Sequence, residues 1–126
     1  MIIDTDVFIW YFRGNRAARD IIEAGHAISL SAVTYMELVQ GMRNKQELSL
    51  FRQEMTNKNW QILTLTAEIT SRAMTYIEEY ALSHSMALAD ALIAATAVER
   101  GATLLSANTK HYRFLAELQL QQFVVE

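Results

Sequence analysis

Short apolar runs that end on polar residues alternate along the chain with stretches whose apolar residues recur at helical spacing. Met1-Ile2-Ile3 closes on Asp4 and predicts a buried strand, with Thr5 or Asp6 starting a short helix to Phe12 that Arg13-Gly14-Asn15 breaks. A second helix is predicted from Arg16 to about Ala24, with Ala18, Ile21 and Ile22 on one face and Gly25 as its stop. His26 to Leu30 reads as the next strand, after which Ser31 caps a helix carrying Val33, Met36, Glu37 and Gln40 that stops at Gly41. The basic loop Arg43-Asn44-Lys45 leads into an amphipathic helix with Leu48, Phe51 and Met55 in line.

Trp60 to Leu65 predicts a third strand, and Thr66 opens a helix to about His84 with Ile69, Ala73, Ile77 and Tyr80 at helical spacing. Ser85 then caps a helix from Met86 to Arg100 that Gly101 closes. Thr103 to Ser106 is a fourth strand, Thr109 to Leu115 a short turn or helix, and Leu118 to Val125 a fifth strand. Strands that alternate with helices imply an α/β chain whose sheet is mostly parallel and covered on both faces. The 126 residues show no repeat or linker, so one domain over 1–126 is expected.

Composition narrows the class of protein. A chain 52% hydrophobic and 20% charged is not disordered, and with no cysteine it has neither disulfides nor thiolate metal sites. The apolar start lacks a basic n-region and carries two Asp, so no signal peptide or membrane span is expected and the cytoplasm is the default. A net charge of −3 argues against a simple electrostatic nucleic-acid binder, although carboxylates that hold cations are neutralised by them.

The carboxylates carry the candidate chemistry. In an open α/β sheet, ligands sit at the carboxyl ends of the strands, which is where the pattern puts Asp4. Glu37 shares a helical stripe with Val33 and Met36, where it is either compensated by a partner or metal or lies at the stripe's exposed edge. Asp90 sits in an Ala-rich helix with almost no other polar side chain, either complementing the helix dipole or serving a site. Ser106 and Asn108 follow the fourth strand, as site residues or as ordinary turn chemistry, and the nearby His111 is a ligand, a proton shuttle or neither. Asp4, Glu37 and Asp90, with Asp6 and Asn108 as further donors, make a hard oxygen set suited to Mg²⁺ or Mn²⁺. Such ions activate water for in-line attack on a phosphodiester.

Four stretches together resemble the motifs of PIN domains, in the family's order and nearly end to end. They are Met1-Ile2-Ile3-Asp4-Thr5-Asp6, the run from Leu30 to Gly41 holding Glu37, the run from Leu88 to Ala97 holding Asp90, and Leu105-Ser106-Ala107-Asn108-Thr109-Lys110-His111-Tyr112. The likeness is greatest to VapC-type toxins of toxin–antitoxin pairs. It implies a PIN-like three-layer α/β sandwich with a mostly parallel central sheet of five strands. It also implies a Mg²⁺- or Mn²⁺-dependent endoribonuclease, forming a homodimer or toxin–antitoxin hetero-oligomer and held inactive by a VapB-like antitoxin.

The acids matching the family's metal ligands are Asp4, Glu37 and Asp90, and Asn108 completes the catalytic set. The fourth motif departs from many relatives, with Asn108 bringing no charge and His111 standing where another Asp is common; Asp6 is the residue that would make up part of the difference. Antitoxins of the family lay a segment across a groove, for which Phe8, Trp10, Tyr11, Phe12 and the helix of Leu48, Phe51 and Met55 are candidate walls, or simply core. Arg13, Arg16, Arg43, Lys45, Lys110 and Arg113 are candidate phosphate contacts or a solvated rim.

Two other readings compete. Asp4-Thr5-Asp6-Val7 also fits the opening of haloacid-dehalogenase-like phosphatases, in which the first Asp is the nucleophile. The second is a catalytically impaired PIN fold that acts as a scaffold, which the missing fourth acid favours.

Overall fold

A computed structural model describes all of residues 1–126. The strands are β1 (Ile2–Ile3), β2 (Ser29–Ser31), β3 (Gln61–Leu63), β4 (Leu104–Ser106) and β5 (Leu120–Gln122). The helices are α1 (Thr5–Phe12), α2 (Arg16–Ile22), α3 (Ala32–Gln40), α4 (Lys45–Asn57), α5 (Ala67–His84) and α6 (Leu88–Arg100). The strands form one sheet in the order β3-β2-β1-β4-β5, every neighbouring pair parallel. All five carboxyl ends therefore lie along one edge, and β1 is the central strand. Asp4 is thus delivered to the middle of that edge.

Two layers of core cover the sheet because successive strand residues face opposite sides. Ile2 and Leu104 pack with Ile69, Ala73, Ile93 and Ala94 beneath α5 and α6. Ile3 and Leu105, their immediate neighbours, pack with Val7, Phe8, Ala18 and Phe51 beneath α1, α2 and α4. The small side chains Ala91, Ala94, Ala95 and Ala97 are fully buried, which lets α6 lie close against its neighbours. An Arg72 clamp on Glu99 and Glu117 joins α5, α6 and the turn before β5.

Strand boundaries are where the structure departs most from the sequence reading. Met1–Asp4, Trp60–Leu65 and Leu118–Val125 contract to their central pairs or triplets. The His26–Leu30 strand shifts forward to Ser29–Ser31, because β2 pairs only from Ser29 onward with β1 and β3. The helix ending near Ala24 stops at Ile22, and the Thr109–Leu115 segment is a single 3₁₀ turn at Thr109–His111.

Ser85 does not cap α6. It ends α5 in the left-handed region (φ +53°), with its amide on the Tyr80 carbonyl, and α6 starts after Ala87 without any side-chain cap. Gly101 closes α6 at φ +60°, as the pattern predicted.

Ser31 does cap α3, accepting from the Val33 amide at 3.1 Å while fully buried. Loss of such a cap costs about 1 kcal/mol, so Ser31→Ala should lower the melting temperature by about 3 °C. An unchanged thermal melt would show that Ser31 contributes nothing as a cap.

The buried stripe of α3 is Val33, Thr34 and Leu38 rather than Val33, Met36 and Glu37. Met36 is 55% exposed and Glu37 is also exposed. Val33–Glu37 and Thr34–Leu38 are both spaced for a helix face, and contact with α1, α6 and the sheet selects the second.

Candidate active site at the carboxyl edge of the sheet

Asp4 is the buried centre of the site, 6% exposed. It is also the N-cap of α1: one carboxylate oxygen accepts the Thr5 amide at 2.8 Å. The other accepts the hydroxyls of Ser106 at 2.8 Å, from the end of β4, and of Tyr112 at 3.0 Å. Burial, and after it the charge of Asp6, pushes the Asp4 carboxyl up to about 7 even though these donors pull it down.

The Tyr112 hydroxyl also lies 3.1 Å from Asp90, in the first turn of α6, so one phenol touches acids from β1 and α6. His111 Nδ1 approaches the other Asp90 oxygen at 3.3 Å. Burial and then the two carboxylates drive the Tyr112 hydroxyl far above its ordinary range, so it stays protonated and donates.

Glu37 connects to the same edge through Thr5. The Thr5 hydroxyl donates to Glu37 at 2.7 Å and lies 3.0 Å from the hydroxyl of the buried Thr34. Glu37 is thus an exposed rim residue at the mouth, reached through a hydroxyl, and its charge needs no buried partner.

Asp6 and Asn108 form a pair of their own. The Asn108 side-chain amide donates to one Asp6 oxygen at 2.9 Å, and the Ala107 amide reaches the same oxygen at 3.2 Å. Asn108 is in turn held by its own amide on the Ser106 hydroxyl, 3.0 Å away. Asn108 therefore orients a carboxylate. The second Asp6 oxygen is buried with no hydrogen-bond partner, and burial raises the Asp6 pKa.

No three of the chain's His, Asp and Glu side chains gather around a single point as placed. The chemistry nonetheless fits a hard divalent cation: the acids offer only oxygens, buried Asp4 and half-buried Asp6 repel each other, and one Asp6 oxygen lacks a partner. Asp4, Asp6 and Asp90 are the acids at this edge that could serve such an ion, with Glu37 at the rim.

A groove of about 1100 Å³ runs from Glu37 between α1, α3 and α4, walled by Ile9, Phe12, Leu50 and Phe51. Tyr11 is also on its surface, whereas Phe8 is fully buried core and Leu48 faces another depression on α4. Arg13 and Arg43 line the groove; Arg13 lies over the Trp10 ring and Arg43 is paired with Glu47 at 2.8 Å. Lys45 lines the adjoining depression with Arg52, and exposed Lys110 is next to His111 in the chain.

Tyr112 is the residue that sequence reasoning missed. It stands in the fourth motif, but a tyrosine one place after a histidine carries no metal-ligand signal, and only its aromatic ring pointed to burial.

A family model for the PIN domain matches residues 1–116. The ribonucleases VapC10 and VapC19 of Mycobacterium tuberculosis are each 30% identical to the chain over 123 residues, covering 94% of it and 90% and 96% of the respective relative. The chain belongs to the PIN domain family, VapC type. Among solved structures, this PIN domain superposes on a toxin–antitoxin complex from Klebsiella pneumoniae with a TM-score of 0.79 and 26% identity, over 99% of this chain and 98% of the other. VapBC2 from Rickettsia felis, bound to a promoter DNA fragment, shares the fold at a TM-score of 0.81 and 18% identity, with 98% of each chain covered. The family assignment removes the ground for the phosphatase alternative, and Asp90 lies in a PIN-type helix rather than an acidic loop.

Proposed function

We propose that this PIN domain is a Mg²⁺- or Mn²⁺-dependent endoribonuclease toxin, hydrolysing RNA phosphodiester bonds in the cytoplasm and neutralised by a VapB-like antitoxin. The observation that carries the reading is the shared Tyr112 hydroxyl between Asp4 and Asp90, which ties acids of the first and third motifs to the fourth at one point on the sheet edge. Thr5 extends that network to Glu37 in the second motif. The relatives named as VapC ribonucleases give the activity its class.

A bound divalent cation would lower the pKa of a coordinated water and offset charge on the attacked phosphate. The chain's part is to position and to balance charge. Asp4 and Asp6 bring carboxylates to a partly desolvated place, Asn108 and the Ala107 amide aim Asp6, and Glu37 and His111 stand at the mouth beside Thr5 and Asp90. Arg13, Arg43 and Lys110 would contact RNA phosphates outside the acidic centre, and Lys45, in the adjoining depression on α4, would extend that rim.

The groove from Glu37 past Phe12 and Phe51 would seat the antitoxin, its apolar walls taking an amphipathic segment. A homodimer or a toxin–antitoxin hetero-oligomer follows from the same reading. Asn108, which brings no charge of its own, favours a working site over the scaffold alternative by orienting Asp6.

The test is cleavage of a mixed RNA substrate by purified protein with Mg²⁺ or Mn²⁺, set against Asp90→Asn. Cleavage should require the cation and fall by about 100-fold or more in the variant, as for loss of a group at a metal centre. Cleavage that survives both chelator and the substitution would come from another nuclease and would return the scaffold reading.

A further inference from the structure

Tyr112 has a part that the metal-ligand motif does not assign. Its ring is 1% exposed and packed in the core under α5 and α6, so the side chain is anchored from below. Its hydroxyl emerges at the sheet edge and meets Asp4 at 3.0 Å and Asp90 at 3.1 Å. Other donors to these acids serve one each: Ser106 and the Thr5 amide contact Asp4, and His111 contacts Asp90. Two carboxylates that repel each other thus flank one hydroxyl, whose single proton can be given to either and whose place is set by the core rather than by a flexible arm.

We propose that Tyr112 is a positioning residue, whose hydroxyl sets the separation of Asp4 and Asp90 at which the pair takes up a divalent cation. This rests on the cation-dependent reading of the same site. A phenylalanine would fill the core equally well, so a tyrosine here is explained by its oxygen. The carboxylate of Asp4 leaves the end of a two-residue strand, and that of Asp90 leaves the uncapped start of α6. Neither element end is otherwise tied to the other by a side-chain hydrogen bond. Without the hydroxyl the acids should move apart, and each cation bound would then have to draw them back together.

The decisive comparison is Tyr112→Phe against Ser106→Ala and the unaltered full-length protein. Mn²⁺ uptake is followed by the loss of the free-ion paramagnetic resonance signal, with thermal melts in chelator and the separation of kcat from KM on RNA as further readouts. In the Phe variant, the melt in chelator should stay within about 3 °C of the unaltered protein, and Mn²⁺ affinity should fall about 10-fold or more. Its kcat should fall with KM for RNA unchanged. Ser106→Ala removes a donor to Asp4 without separating the two acids and should lose less affinity. Unaltered Mn²⁺ affinity in Tyr112→Phe, or an equal loss in Ser106→Ala, overturns the proposal. So does failure of Tyr112→Phe to fold, which would assign the hydroxyl to the core. Absence of Mn²⁺ uptake by the unaltered protein overturns the cation reading itself, and with it this one.

Discussion

Asp4→Asn is expected to reduce RNA cleavage by about 100-fold or more while making the metal-free protein more stable at neutral pH. The two effects have one cause. Asp4 is nearly enclosed and its carboxyl is pushed up to about 7 by burial and by Asp6, so near neutrality the fold carries a charge that its surroundings oppose. An asparagine keeps an oxygen for the Thr5 amide, and its NH₂ group can donate to the hydroxyls of Ser106 and Tyr112, which turn to accept. The strain of an unpaired buried charge disappears, and so does the anion that a cation needs. Divalent metal should accordingly raise the melting temperature of the unaltered protein and leave that of Asp4→Asn nearly unmoved. Paired melts with and without Mn²⁺, beside an RNA cleavage assay, provide the check. A variant that is both active and metal-stabilised would show that Asp4 is not part of the reacting centre.

In chelator, the unaltered protein should lose stability as pH rises from about 4 to above 7, and excess Mg²⁺ or Mn²⁺ should reverse the loss. The folded state holds the Asp4 proton more tightly than the unfolded state does, because its pKa rises from 3.8 to about 7 on folding. That contribution is complete below the unfolded value and is lost as pH climbs through the folded one. The gap corresponds to something on the order of 4 kcal/mol across this window. Asp6, also raised, acts in the same direction.

Glu47 and Glu117 act in the opposite sense, since Arg43 beside the first and Tyr76 and Arg72 beside the second lower their pKa values. Their stabilisation is present at neutral pH and lost in acid. Both are solvent-screened surface groups, so their effect is the smaller one. Cation binding adds RT ln(1 + [M]/Kd), about 2.7 kcal/mol at a hundredfold excess over Kd. Melting curves from pH 5 to 8 in chelator, repeated with metal and with Asp4→Asn, read each part separately. A melting temperature that climbs steadily to pH 8 without metal would mean that Asp4 ionises on folding without cost.

Much of this was readable before any coordinates. The alternation of apolar runs with helical stripes gave the order of strands and helices and the parallel sheet. The end of the first run marked the strand tip where Asp4 stands. Glu37 was left between a compensated place on the stripe and its exposed edge, because its helix carries two possible stripes, and the neighbours select the one that leaves it at the rim. Ser85 was misread because a residue between two helices can finish one or begin the next, and a left-handed backbone decided for the former. Asn108 was read as completing the site without adding charge, and its side chain donates to Asp6, a pairing that spacing along the chain does not reveal.

What the sequence determined by itself was local: which segments are strands or helices, which faces are apolar, and which residues bring hard oxygen donors, all consequences of spacing and side-chain chemistry. The tertiary structure alone decided which of those oxygens meet. Tyr112 reaches Asp4 across 108 positions and Asp90 across 22, and Asn108 reaches Asp6 across 102. Such contacts follow from strand order and from the packing of α6 against the sheet, and no periodicity along the chain encodes them.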